Sequence, residues 1–149
     1  MAKNSSLYVR QAALLRMKAA APVTDDVPAA RIYPPQRPAQ PVWPFIGYGV
    51  PTAVPFTASC LDGSAITVAV HVYGETSGEG DDTVSGEEFV ERVAGNVVAA
   101  LDGSFSLADT DCPYPATAHF TWTGTQAIQD GADADAFHGI VSFNVTVSS

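Results

Sequence analysis

The chain has 149 residues, 46% of them hydrophobic and 15% charged, which are the proportions of a folding domain rather than of a disordered segment. A domain of this length buries about 70% of the surface its unfolded chain exposes, so one core spanning residues 1–149 is expected. Sixteen acids against seven bases leave a net charge of −9, the wrong sign for a surface that grips phosphate, and this disfavours direct nucleic-acid binding.

The start carries Arg10, Gln11, Arg16 and Lys18 among its apolar residues, so it lacks the continuous apolar stretch of a secretory signal. No later segment offers the roughly 18 uninterrupted apolar residues of a membrane-spanning helix. A first helix is predicted over 6–21, with Leu7, Leu14 and Leu15 on one side, Tyr8, Ala12 and Ala19 extending it, and Pro22 ending it. It is expected to be buried along much of its surface.

Residues 22–55 hold nine of the eleven prolines, so an extended arm or long loop is expected there, containing one short strand over 44–50. Asp62 and Gly63 give a turn signal before the clearest strand, 66–73, where Ile66, Val68, Val70 and Val72 alternate with Thr67, Ala69, His71 and Tyr73. A polar, glycine-rich loop follows over 74–83. Ser85 and Glu88 then fit a capping box. From it a helix is predicted with Phe89, Val93, Val97 and Leu101 inward and Val90 and Val98 beside them, leaving Glu87, Glu88, Glu91, Arg92 and Asn96 to face water. Asp102 and Gly103 mark its end.

Three more strands are predicted. The first is 104–107. The second is 118–125, with Phe120 and Trp122 opposite in sense to His119, Thr121 and Thr123. The third is 140–147, with Val141, Phe143, Val145 and Val147 on one face. The order describes an α+β domain, a mostly antiparallel sheet with two helices on one face and the proline-rich arm beside it.

Catalytic chemistry is absent from the motifs. There is no nucleophile elbow, Walker loop or dinucleotide fingerprint, and Gly78 and Gly80 are flanked by Glu79, Asp81 and Asp82, which repel a phosphate. Asp109 and Asp111, and Asp130, Asp133 and Asp135, offer oxygen ligands without the spacing of a calcium loop. Cys60 and Cys112 have no zinc-ligand spacing, and His71, His119 and His138 are expected to be structural. No cofactor and no metal is expected.

The charge is distributed unevenly. Residues 1–37 carry Lys3, Arg10, Arg16, Lys18, Arg31 and Arg37 against Asp25 and Asp26, +4 in sum; beyond them fourteen acids stand against Arg92 alone, −13. Arg31 and Arg37 on the arm and Glu79, Asp81 and Asp82 in the loop are therefore candidate assembly-interface residues, one copy's bases meeting an acidic surface of a neighbour or partner.

The order of the pieces carries a resemblance. A short N-terminal helix leads to Arg31-Ile-Tyr-Pro34 and then to Pro44-Phe-Ile46. After these come a Val68-x-Val-x-Val-Tyr73 strand, a helix ending Val97-x-x-Ala-Leu-Asp-Gly103, and a closing His138-Gly-Ile-Val-x-Phe-x-Val145. This set resembles the tail-completion, or tail terminator, family of long-tailed phages and gene transfer agents. The resemblance implies a non-enzymatic virion subunit without a cofactor, forming a sixfold ring of identical copies on the tail tube. Such a ring stops tube growth, meets the tail tube protein and the head-tail connector protein, and lets DNA pass without specific binding. The alternatives are a head-tail connector or stopper subunit, or a small enzyme or ligand-binding domain using the Asp-rich loops.

Overall fold

A computed structural model of the protein describes residues 3–55, 63–131 and 135–148, so Cys60, Asp62 and Asp133 lie outside the described residues. Its elements in order are α1 (Ser6–Ala19), α2 (Ala21–Thr24), β1 (Ile32–Tyr33), β2 (Phe45–Tyr48), β3 (Thr52–Pro55), β4 (Gly63–Glu75), α3 (Gly86–Leu101), β5 (Gly103–Ser106), β6 (Thr117–Gln129) and β7 (Ala136–Ser148). The strands form one sheet in the order β1-β2-β4-β7-β6-β5, and β3 pairs with β4 beyond the end of β2. Every pairing is antiparallel except the two-residue β1–β2 contact. This is the expected α+β architecture.

The long strands β4 and β7 pair along their whole length, from Gly63 opposite Ser148 to Glu75 opposite Ala136. Directly opposed residues share a face, so Ile66, Val68, Val70 and Val72 line up with Val145, Phe143, Val141 and Gly139. All these large side chains are buried, with Ile46, Tyr48, Ala118 and Phe120 extending the layer across neighbouring strands. Helix α3 covers it with Val90, Val93, Ala94, Val97 and Leu101. The helix sits close because Gly74 and Gly139 leave room: a Cβ at Gly139 would lie 2.5 Å from Val90 Cγ1.

The capping box forms as predicted on the cap side, the Glu88 N–H donating to Ser85 Oγ at 3.1 Å. Gly103, at φ +134°, then turns the chain from α3 straight into β5 at the far edge of the sheet. From there β5, β6 and β7 meander back to close against β4.

The first helix departs from expectation. It ends at Ala19, and Pro22 stands within the first turn of the separate helix α2. Its buried residues are Val9, Ala12, Ala13 and Met17, whereas Leu7 and Leu15 are 46% and 50% exposed. The small side chains let the helix lie close over the core, and two of the leucines fall to the rim. Side chains fix its position: Gln11 Nε2 donates to Asp111 Oδ2 while Gln11 Oε1 accepts from the Asp111 N–H, and Arg16 Nε donates to the Ala100 carbonyl. Arg92 and Asn96 also do more than face water. Arg92 pairs with Asp26 at 3.0 Å and Asn96 donates to the Pro22 carbonyl, clasping α2 against α3.

Among the described residues, one buried side-chain polar group is unsatisfied. The Tyr48 hydroxyl is buried with no hydrogen-bond partner, and burial pushes its phenol far above the ordinary value although Arg10 pulls the other way. Removing an orphaned hydroxyl removes its desolvation cost. Tyr48→Phe is therefore expected to raise folding stability by about 1 kcal/mol, read as a higher urea midpoint at unchanged slope.

Candidate assembly interface

The sheet face turned away from the helices divides into two regions. Toward one end it carries Thr67, Asn144, Thr121, Thr146 and His119, a small-residue polar surface as an uncovered antiparallel face should be. Toward the other end, pairing register lines up Phe45 on β2, Tyr73 on β4, His138 on β7 and Ile128 on β6. Phe45 and Tyr73 stack at 4.4 Å, Tyr73 and His138 at 4.2 Å, and Trp43 meets both Phe45 and Tyr73 edge-on. His71 Nδ1 and His138 Nε2 are 2.6 Å apart, one ring donating to the other.

Arg37 lies over this row, its guanidinium 5.2 Å from the Phe45 ring and 5.0 Å from Tyr73. The side chain is exposed, and among the described residues it forms no ion pair. Arg31, in the turn before β1, donates to the Trp43 carbonyl at 3.4 Å. The two arm bases thus hold the 34–44 segment against the sheet. Glu79, Asp81 and Asp82 stand in an exposed turn beyond the end of β4. That turn is closed by the Ser77–Val84 bridge, and Gly78 is required in it because a Cβ there would lie 2.3 Å from the Asp82 carbonyl. No ion pair joins Arg31 or Arg37 to these acids within the chain.

Burial, and secondarily the Arg37 charge, hold the His71 imidazole below its ordinary pKa; burial, His71 and Arg37 do the same to His138, against a raising influence from Asp130. Because the folded values lie below the unfolded one near 6.5, the unfolded chain takes up protons first as pH falls. The pair's contribution is therefore fully present above about pH 6.5 and is lost as pH drops through that value toward the folded ones. Thermal midpoints are expected to fall between pH 7.5 and 5.5, and His138→Phe should flatten the fall. A slope unchanged by the substitution would contradict the assignment.

The remaining candidates stay apart. His119 hydrogen-bonds Ser104 Oγ at 2.7 Å and Ser148 Oγ at 3.2 Å, with no carboxylate orienting the ring. Asp111 is engaged by Gln11, and no group of three or more metal-ligating side chains gathers among the described residues. Sequence reasoning missed the imidazole pair. The available signal was that His71 and Tyr73 occupy the outward positions of a strand whose other face is entirely aliphatic.

Comparison with known proteins fixes the context. The model of the family described as "Tail completion protein gp17" matches residues 11–148. A chain from a solved structure described as the virion of a native gene transfer agent particle shares the fold, with a TM-score of 0.68 at 18% identity over 93% of this chain and 94% of that one. No curated protein matches. A tail-completion context implies assembly with other tail or head proteins and suggests a structural rather than an enzymatic role. With nearly its whole length matched, the chain belongs to the tail completion protein family gp17 and is a structural protein of the virion tail.

Proposed function

We propose that identical copies of this chain form a closed ring, a hexamer, that terminates the tail tube and presents the docking surface for the head connector, without catalysing a reaction. The family match over residues 11–148 carries this reading. It is supported by the net charge of −9, which discourages passing DNA from adhering to the ring wall. Head-to-tail contacts between one surface and a different surface of the next copy generate such a ring when the rotation closes. The test is particle assembly without the chain: tails of unregulated length lacking heads are expected. Tails of normal length lacking heads would instead assign it to the connector or stopper.

Arg31 and Arg37 on one copy, and Glu79, Asp81 and Asp82 on the next, are the proposed charged part of the contact. The arginines are not idle in the monomer, since Arg31 bonds Trp43 and Arg37 covers Phe45 and Tyr73. Loss of an exposed cation–π contact costs only about 0.5–1 kcal/mol, so the fold should survive Arg31→Glu/Arg37→Glu. Ring yield is expected to drop for the double variant at low salt, and the gap from wild type should narrow as salt screens charges beyond about 8 Å. Equal assembly at low salt would leave these charges a solubilising role only.

A further inference from the structure

Strand β6 runs for 13 residues, yet β5 covers only its first four, Thr117 to Phe120. The Asp102 carboxylate closes that stretch by accepting the Trp122 N–H at 3.0 Å. Beyond it, residues 123–129 have β7 on one side and no strand on the other among the described residues. Backbone groups of an antiparallel edge strand alternate between partner and solvent. At the hairpin end, Asp130 N–H turns inward to the Ala136 carbonyl. Counting back from it places the main-chain groups of Gln129, Ala127 and Thr125 on the open side.

Open edges of this kind are templates for pairing, and proteins blunt them with charge, proline or a short length. None of these protections is present. From residue 121 to 129 there is no charged residue and no proline, and the edge from Trp122 onward spans more than 20 Å at about 3.4 Å per residue. The register shift between Trp122 and Gly124 bends the strand at one point only. Both faces are open as well. Trp122, opposite Phe143, is 47% exposed on the helix side, and Ile128, opposite His138, is 39% exposed on the other. Large apolar side chains thus flank the unpaired edge above and below.

Charge indicates the occupant. Two chains of net −9 repel each other across most of their surfaces, and a partner of opposite charge would be met by acidic residues. A long backbone edge without any charge suits a partner carrying the same net charge. We infer that the outer edge of β6 over residues 123–129 pairs, strand to strand, with a second copy of this chain, so that the sheet continues from one subunit into the next. This rests on the ring reading but not on the arm arginines.

The experiment compares wild type, Ala127→Pro and Ala127→Val by native mass measurement over a concentration series, with hydrogen exchange on the assembled wild-type protein. Proline removes the outward N–H of Ala127 while leaving the β6–β7 ladder intact, and proline is tolerated where an edge N–H faces solvent. Ala127→Pro should raise the half-assembly concentration about tenfold or more per interface, the equivalent of ~1.4 kcal/mol. Ala127→Val, which keeps the N–H, should assemble as wild type does. Amides of the 121–129 segment should exchange more slowly in the assembled protein than at dilutions where it is monomeric, which decides the matter on wild type alone if the proline variant does not fold. Wild-type rings with unprotected edge amides, or a folded Ala127→Pro that assembles normally, would overturn the inference and leave the ring reading standing. An Ala127→Val variant as impaired as the proline one would also overturn it, pointing to side-chain crowding. Wild type that is monomeric at every concentration and in particles would overturn both.

Discussion

Replacing Phe143 with alanine is expected to cost about 3–5 kcal/mol of folding stability, enough to unfold much of the population of a marginally stable domain. Phe143 is fully buried at the centre of β7, opposite Val68 on one neighbouring strand and Trp122 on the other, and its ring meets Phe120 edge-on at 5.8 Å. Truncation loses the transfer free energy of the ring and leaves a cavity on the core face of the sheet, where the long β4–β7 ladder holds the backbone and limits collapse. The urea midpoint should fall sharply with little change in slope. A loss below about 1 kcal/mol would mean that the core is not organised around this position.

Two glycines on α3 should respond with opposite signs. Gly86 begins the helix, donates its N–H to Thr76 Oγ1 at 3.0 Å, and is packed so closely that a Cβ would lie 2.5 Å from the Asp135 carbonyl and 3.2 Å from the Glu75 Cα. Those atoms are backbone, tied together by the Thr76 N–H donating to the same Asp135 carbonyl. Gly86→Val must push the helix start off the ends of β4 and β7, at a cost of about 1–3 kcal/mol. Gly95 lies mid-helix, exposed, with nothing near its Cβ position. Gly95→Ala should stabilise by about 0.5–1 kcal/mol. Thermal midpoints of the two variants moving in the same direction would contradict the seating of α3.

Local pattern carried much of the fold. The alternation at Ile66, Val68, Val70 and Val72, and the four-residue spacing from Phe89 to Leu101 behind Ser85, each have one physical reading, and β4 and α3 follow it. Helix α1 was harder. Its leucines suggested a face, but alanines pack where a helix must approach closely, so Ala12 and Ala13 point inward and Leu7 and Leu15 do not. Strand β3 was not foreseen, because Thr52–Pro55 has two prolines nearby and no alternation; its pairing comes from the edge that β4 leaves open past β2. Trp122 likewise shares a face with Phe120, as predicted, yet is exposed; it stands at the register shift just past the stretch of β6 that β5 pairs.

The candidate interface residues were legible as charges but not as contacts. Composition separates Arg31 and Arg37 from Glu79, Asp81 and Asp82, whereas the stacking of Arg37 on Phe45 and Tyr73 depends on residues brought together by strand register. The His71–His138 pair joins positions 67 residues apart and arises in the same way. Alternation shows that His71 faces outward, but which residue the register sets beside it has no local sequence signature.

Self-assembly into a ring is the central claim, and its most direct test is the mass of the intact assembly. Native mass measurement of the purified protein at micromolar concentration, or of the ring released from tails, should give a closed species of six times the 15.5 kDa chain mass. Particle imaging should show it as an annulus. A 15.5 kDa monomer as the only species, both free and in the particle, would contradict the account.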